Sequence, residues 1–509
     1  MQSLSKWMGN GWDAVRKTSQ IGASVGRAVQ AEISHLLDKP DSAVISGRKP
    51  ESSSATLRLT QGILEQSGLD RKAVQEALAS TSFSSSQELR SSVQDLLGGR
   101  EATESLAASR PNFFPSLLAA GRSHPPLKMK GRLQFDFTSV PVKNIHFHER
   151  DGRVVAQVNS SLNQLLGEGD TTRRIAEDYA SDDVTLKLTI PVGSGKPADY
   201  RALPAEAKKE LLKKGLQAAP SLTVMLHGFQ SNKEIWDSTA DQWTDSQSVG
   251  IALDGFGGNG MARSDASSPY TPKQYAFQML ESLDALGLLG GKPLQVVGHS
   301  MGGAATAEMA VALDKAQYPG EANFVLMAPA CSPDHMPIFQ SHRDLVDVVN
   351  AVFIGGMYVP LGAWNVTAPL IQWTDEKFPL LSKLVVDYGL GLRDAPEHIR
   401  NHNASYYRTP DAQNNRVRRD RSMEAMMGMA AQKGVDPREL RRAGKRFGIF
   451  AVNFGQDRLV DPTSVARLRG KGVGYLEIPS GSHNACFDPG QAERIQQASQ
   501  RYFESHPRS

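Results

Sequence analysis

The sequence predicts an α/β protein: a mainly parallel sheet with helices on both faces, a helical insert, and a partly helical N-terminal extension. Three observations carry that prediction. Short apolar runs alternate with helical segments from about residue 222 onward, as in parallel strands buried between two helical layers. About 120 residues without strand alternation separate the runs at 324 and 447, too many for a connecting loop. Residues 1–130 differ in composition, being rich in Ser, Ala, Gln and Leu and poor in strand-like runs. The 509 residues therefore divide into an extension (1–130), a first part of the core (131–330), an insert (331–446) and a second part of the core (447–509). That length is more than one ordinary domain.

In the extension, Val15, Ile21, Val25, Val29, Ile33, Leu36 and Leu37 recur at loosely helical spacing and predict a helix over 12–37. Lys39-Pro40-Asp41-Ser42 ends it. Ser52-Ser53-Ser54 reads as a linker or an N-cap, and two shorter helices follow near 57–67 and 86–97, the second stopped by Gly98-Gly99. Pro111, Pro115, Pro125 and Pro126 mark a loose connection.

Strand signals begin with the alternating run at 133–137. Runs at 145–148 and 154–158 flank Asp151-Gly152, a dipeptide that favours a tight hairpin turn. Further strands are expected at 184–190, 222–226, 248–253, 294–297, 324–327, 447–453 and 474–478. Thr271 followed by Pro272 is a cap and first position for a helix carrying Leu280, Leu283 and Leu286 on one face. Helices over 304–316 and 491–504 complete the pattern.

Composition excludes several classes. Hydrophobic content of 40% and charged content of 22% fit a globular chain with a sizeable core. A net charge of +3 gives no argument for nucleic acid. Cys331 and Cys486, the only cysteines, cannot form a disulfide framework or a cysteine-rich zinc site. No zinc-ligand spacing or phosphate-cradling glycine loop occurs, so neither metal nor cofactor is expected. Charges at Lys6, Asp13, Arg16, Lys17 and Arg27 interrupt every candidate signal-peptide core. Residues 348–374 lack Asp, Glu, Lys, Arg and His, but Gly355-Gly356, Pro360 and Pro369 break them too often for a spanning helix.

The chemistry centres on Gly298-His299-Ser300-Met301-Gly302. By chance a Gly-x-Ser-x-Gly string arises roughly once in every five or six chains of this size, so the string alone decides little. Its place does more. It follows a strand and opens a helix, where a serine sits on a sharp turn and only glycines two residues away leave room. The helix N-terminus favours negative charge there. A serine hydroxyl is a poor nucleophile and needs a base; His483, after the last strand and two residues past Gly481, is the candidate. A carboxylate must then orient the imidazole, and Asp457 and Asp461 both lie beyond the preceding strand.

With these residues in place, 222–303 and 447–487 resemble the α/β-hydrolase superfamily, in its esterase, lipase and acyl-hydrolase branch with an inserted cap. The landmarks come in order: His227-Gly228-Phe229 with Trp236 beyond, Asp254-Gly255-Phe256-Gly257 and Arg263-Ser264-Asp265, the elbow at 298–302, Gly455-Gln456-Asp457, and Gly481-Ser482-His483. The resemblance implies an α/β-hydrolase fold and a catalytic triad of Ser300, Asp457 and His483. Asp457 is preferred because a valine, Val460, stands three residues on; Asp461, before Pro462, would instead cap a helix. The backbone N–H groups of Phe229 and Met301 would form the oxyanion hole. His227 is expected to brace that loop and His299 to point away.

The expected activity is ester hydrolysis through an acyl-serine intermediate, on small-molecule or lipid esters. Acyl transfer or thioester cleavage on the same triad is the alternative, as is a hydrolase scaffold serving as a binding module. An aspartate at position 300 would have pointed to dehalogenase or epoxide-hydrolase chemistry, and it is absent. The aromatic part of the insert (Phe339, Phe353, Tyr358, Trp364, Trp373, Phe378) would line an acyl pocket, pack its own core, or both. Its basic part, including Arg416, Arg418, Arg419, Arg438, Arg441, Arg442 and Arg446, reads as a solvated helix face or as a surface for anionic head groups, a membrane or a partner. The extension resembles export and chaperone-binding regions of bacterial type III secreted effectors, and equally a regulatory or anchoring segment. Location is therefore expected to be cytoplasmic, or exported without a cleavable signal.

Overall fold

A computed structural model of the chain describes residues 135–166, 184–229, 231–254, 271–331, 434–457, 459–470 and 472–506. The helices expected in the extension, the insert between 332 and 433, and the loop at 255–265 lie outside the described residues.

Among the described residues, nine strands form one sheet in the order β1-β2-β3-β5-β4-β6-β7-β8-β9. β1 (Ile145–Arg150), β2 (Arg153–Ser161) and β3 (Thr185–Gly193) run antiparallel at one edge. β3 also pairs antiparallel with β5 (Val249–Asp254). From β5 the sheet is parallel through β4 (Leu222–Leu226), β6 (Leu294–His299), β7 (Ala322–Met327), β8 (Gly448–Phe454) and β9 (Gly474–Ile478). Each expected strand from 145 onward is present. Of the run at 133–137 only residues 135–137 are described: Phe135 and Phe137 are buried and stacked on each other and, among the described residues, pair with no strand. Alternation over so few residues fits a burying turn as well as a strand.

Burial explains the contrast between the two parts of the sheet. β4, β5 and β8 are buried at every position, as strands covered on both faces must be. β3 alternates buried and half-buried residues because one face is only partly covered. Between β1 and β2, Asp151 and Gly152 both adopt positive φ, 48° and 71°, the backbone of the hairpin turn that their sequence favours.

Among the described residues, five longer helices flank the sheet: α1 (Ala205–Ala218), α2 (Pro272–Ala285), α3 (Met301–Lys315), α4 (Pro437–Arg446) and α5 (Pro489–Ser505). α1 was not legible beforehand. It turns only Leu212 and Leu216 inward, and its Gly215 lies against the Pro191 carbonyl where a Cβ would collide. α2 begins as expected, with the Thr271 hydroxyl accepting the Gln274 N–H ahead of Pro272. It is not one-sided, however. Gln278, Glu281, Ser282 and Asp284 are buried along with its leucines. α5 is capped by Asp488, which accepts the Gln491 N–H.

α4 lies in the segment expected to be insert, yet it packs against α3 and β8 as part of the crossover from β7. Its cations serve that packing: Arg442 pairs with Asp314 at 3.1 Å, Arg446 donates to the Tyr318 carbonyl, and Glu439 pairs with Lys315 at 2.8 Å. Among the described residues no helix is long and apolar enough to cross a membrane.

Candidate active site

All the parallel strands point the same way, so the loops after β4, β6, β8 and β9 gather at one edge of the sheet, the usual place for a site in an open α/β fold. The loop after β6 is the tightest. Ser300 stands between His299, the last residue of β6, and Met301, the first of α3, with φ 57° and ψ −118°. A non-glycine residue there costs on the order of 1–3 kcal/mol and persists only when its surroundings enforce it. They do: the Ser300 N–H donates to the Met327 carbonyl at 2.9 Å, and the Ser300 carbonyl accepts from Ala304 and Ala330 at 3.0 Å. A Cβ at Gly298 would strike the Gly302 carbonyl and the Thr306 hydroxyl; one at Gly302 would strike the carbonyls of Leu226 and His227. Both glycines are therefore required by close backbone approach. Ser300 is 8% exposed.

His483 and Asp457 meet, although 26 residues separate them. The His483 Nδ1 lies 2.8 Å from Asp457 Oδ2. The other oxygen, Oδ1, accepts the N–H groups of Leu459 at 2.8 Å and Val460 at 3.0 Å. Three directed contacts thus orient one buried carboxylate. Asp461 does something else: it caps the short helix Pro462–Ala466, accepting the Thr463 N–H at 2.8 Å and the Thr463 hydroxyl at 2.7 Å. Gly481 packs against Phe454 too closely to admit a Cβ, so close approach rather than loop freedom requires glycine there.

The loop that carries His483 is tied to the elbow through His299. Its Nε2 lies 2.7 Å from the His483 carbonyl, and the two imidazole rings are 4.6 Å apart. The sequence leads His299 to be expected to point away from the serine; its ring turns to the loop after β9, which folds over the end of β6. Burial, with His483 nearby, holds His299 well below the usual imidazole range.

The loop after β4 approaches from the other side. A Cβ at Gly228 would come within 3.0 Å of Ser300 Cβ, which places this turn beside the serine. Met301 opens α3, so its N–H has no acceptor within the helix. His227 is buried and points its Nδ1 at the Gly228 carbonyl, 2.7 Å away, bracing the turn; burial also lowers its pKa.

Further along, Asp254 at the end of β5 accepts the Lys233 N–H at 2.7 Å, the Lys233 ammonium at 2.9 Å and the Thr185 hydroxyl at 2.8 Å. Burial opposes the charge on Lys233, but Asp254 and Glu234 outweigh it and raise its pKa. Nothing in the sequence marked Lys233; Asp254 was visible only as the start of a familiar loop. Cys331 and Cys486 are buried free thiols, pushed upward by burial.

Residues 223–494 match the alpha/beta hydrolase family. No curated protein matches the chain. Among solved structures, a hydrolase from Pseudomonas aeruginosa is similar at 14% identity, covering 71% of this chain and 99% of its own, with a TM-score of 0.37. A thermophilic esterase from Thermogutta terrifontis matches at 14% identity over 56% of this chain and 90% of its own, TM-score 0.33. The naproxen esterase of Bacillus subtilis matches at 15% identity over 66% and 99%, TM-score 0.33.

Proposed function

The chain belongs to the alpha/beta hydrolase family, and from that premise we propose that it is a serine hydrolase that cleaves carboxylic esters. The observation that carries the reading is the 2.8 Å pairing of His483 Nδ1 with Asp457 Oδ2, in a loop tied to a strained serine elbow. A carboxylate only accepts, so Nδ1 carries the proton and Nε2 keeps its lone pair for a hydroxyl.

The reaction follows from those roles. Nε2 of His483 takes the proton as Ser300 Oγ bonds to the ester carbonyl carbon. The carbonyl oxygen becomes an oxyanion, met by the N–H groups of Phe229 and Met301, each such donor being worth about 3 kcal/mol. Its collapse breaks the bond to the leaving alkoxide, which His483 protonates. Water then attacks the acyl-serine with His483 again as base, releasing the acid and restoring Ser300. Asp457 fixes the ring and stabilises the imidazolium throughout.

A nitrophenyl ester series of increasing acyl length, run with wild type and Ser300→Ala, tests this. The reading expects turnover that Ser300→Ala abolishes, and an acyl-length optimum that describes the pocket. Turnover retained by Ser300→Ala would overturn it. Adding alcohols or thiols as competing acceptors separates hydrolysis from acyl transfer.

A further inference from the structure

Each histidine near the serine has a different job, and His299 is the one that catalysis by itself does not require. We propose that His299 is a positioning residue that sets the separation between nucleophile and base, by gripping the His483 main chain from the position adjoining Ser300. The inference rests on the reading of Ser300 and His483 as nucleophile and base.

Three observations support it. The grip is direct: His299 Nε2 lies 2.7 Å from the His483 carbonyl oxygen. A carbonyl cannot donate, so Nε2 must carry the proton. The ring is also firmly seated. His299 is 2% exposed, in register with Met327 on β7, and lies 4.9 Å from the Phe487 ring in an edge contact; Phe487 in turn packs edge-on against Trp236 at 5.2 Å. Its other nitrogen, Nδ1, is buried without a hydrogen-bond partner among the described residues and faces Gly228, where a Cβ would come within 3.1 Å. Among the described residues the pocket thus accepts one neutral tautomer and has no acceptor for a proton on Nδ1.

The consequence is geometric. One peptide unit links His299, paired with Met327 on β7, to Ser300, whose N–H donates to the Met327 carbonyl. A hydrogen bond from that rigid dipeptide to the base's own backbone turns two loops far apart in sequence into one unit. The neutrality of the clamp matters as well. A charged ring 4.6 Å from His483 would oppose the imidazolium that forms during the reaction, and burial keeps His299 uncharged. A misplacement of about 1 Å at a reacting pair can cost on the order of 100-fold in rate.

The test compares His299→Gln with His299→Leu in the full chain. The glutamine amide N–H reaches about as far as Nε2; leucine fills the space and donates nothing. The measurements are kcat and KM on a short nitrophenyl ester, the labelling rate with a fluorophosphonate, and thermal stability. His299→Leu is expected to lower kcat and the labelling rate by roughly 10- to 100-fold with KM within about twofold, and His299→Gln to recover most of that loss. Should His299→Leu not fold, His299→Asn, whose amide reaches only as far as Nδ1, takes its place with the same expectation. Equal kcat in all variants, or equal loss in the glutamine variant and in its leucine or asparagine comparator, would overturn the proposal. Full turnover by Ser300→Ala would instead defeat the underlying reading, so the two failures are distinguishable.

Discussion

The two halves of the candidate site differ in what side chains add to their backbone. The elbow at 298–302 is held by backbone: a positive φ at Ser300, main-chain hydrogen bonds to Met327, Ala304 and Ala330, and two glycines pressed against neighbouring carbonyls. The loops after β8 and β9 share main-chain bonds, Gly455 to Ile478 and Gln456 to Gly481, but their functional groups are set by side chains: Asp457 to His483 and to two N–H groups, and His299 to the His483 carbonyl. The difference teaches where each half can fail. A backbone device breaks when atoms are added, with loss of fold. A side-chain device breaks when a donor or acceptor is exchanged, with loss of chemistry alone.

Exchanging one oxygen of the acid is the sharpest form of that contrast and carries the largest expected effect. In Asp457→Asn the Oδ1 acceptor for Leu459 and Val460 survives, but the amide presents a donor to Nδ1 and favours the wrong tautomer. Esterase kcat should fall on the order of 10⁴-fold while the melting temperature changes little. Asp461→Asn, at a helix cap where asparagine serves as well as aspartate, should change neither. Activity loss confined to Asp461→Asn would reassign the acid.

Gly302→Ala breaks the other half. The added methyl has only backbone carbonyls to displace, and overpacking of this kind costs on the order of 3 kcal/mol. Denaturant unfolding should show that loss, and activity should fall with it. A variant as stable as wild type would mean that the elbow yields more easily than its contacts imply.

The smallest expected effect concerns pH. His227 and His299 are both lowered by burial, so the folded state binds fewer protons than the unfolded one. Their contribution to stability is complete above the unfolded value of about 6.5 and declines as pH falls below it. Melting temperatures measured from about pH 7 down to pH 5 should therefore drop, and His299→Gln should shallow the slope. His148, half-buried and also lowered by burial, acts in the same direction.

The same division governs what could be read from the sequence. The elbow was legible because strain, glycines and helix start are all local; five consecutive residues state them. Strands β1 to β9 were legible from short apolar runs, and the β1–β2 turn from Asp151-Gly152. The pairing of Asp457 with His483 was legible only by the order of the two residues along a family pattern, since no local feature links residues 457 and 483. The grip of His299 on the His483 carbonyl and the Lys233–Asp254 pair were not legible, because each depends on a loop that arrives from another strand. α1 was missed for a related reason: two inward leucines in a helix rich in lysine and alanine give little periodic signal.

The central claim is that Ser300 is a nucleophile activated by His483. The direct measurement is peptide mapping after treatment with a fluorophosphonate, on wild type, Ser300→Ala and His483→Ala. The account predicts one adduct on the elbow peptide of wild type, none in Ser300→Ala, and greatly slowed labelling in His483→Ala. An adduct on another residue that survives Ser300→Ala, or labelling of Ser300 at full rate without His483, would contradict it.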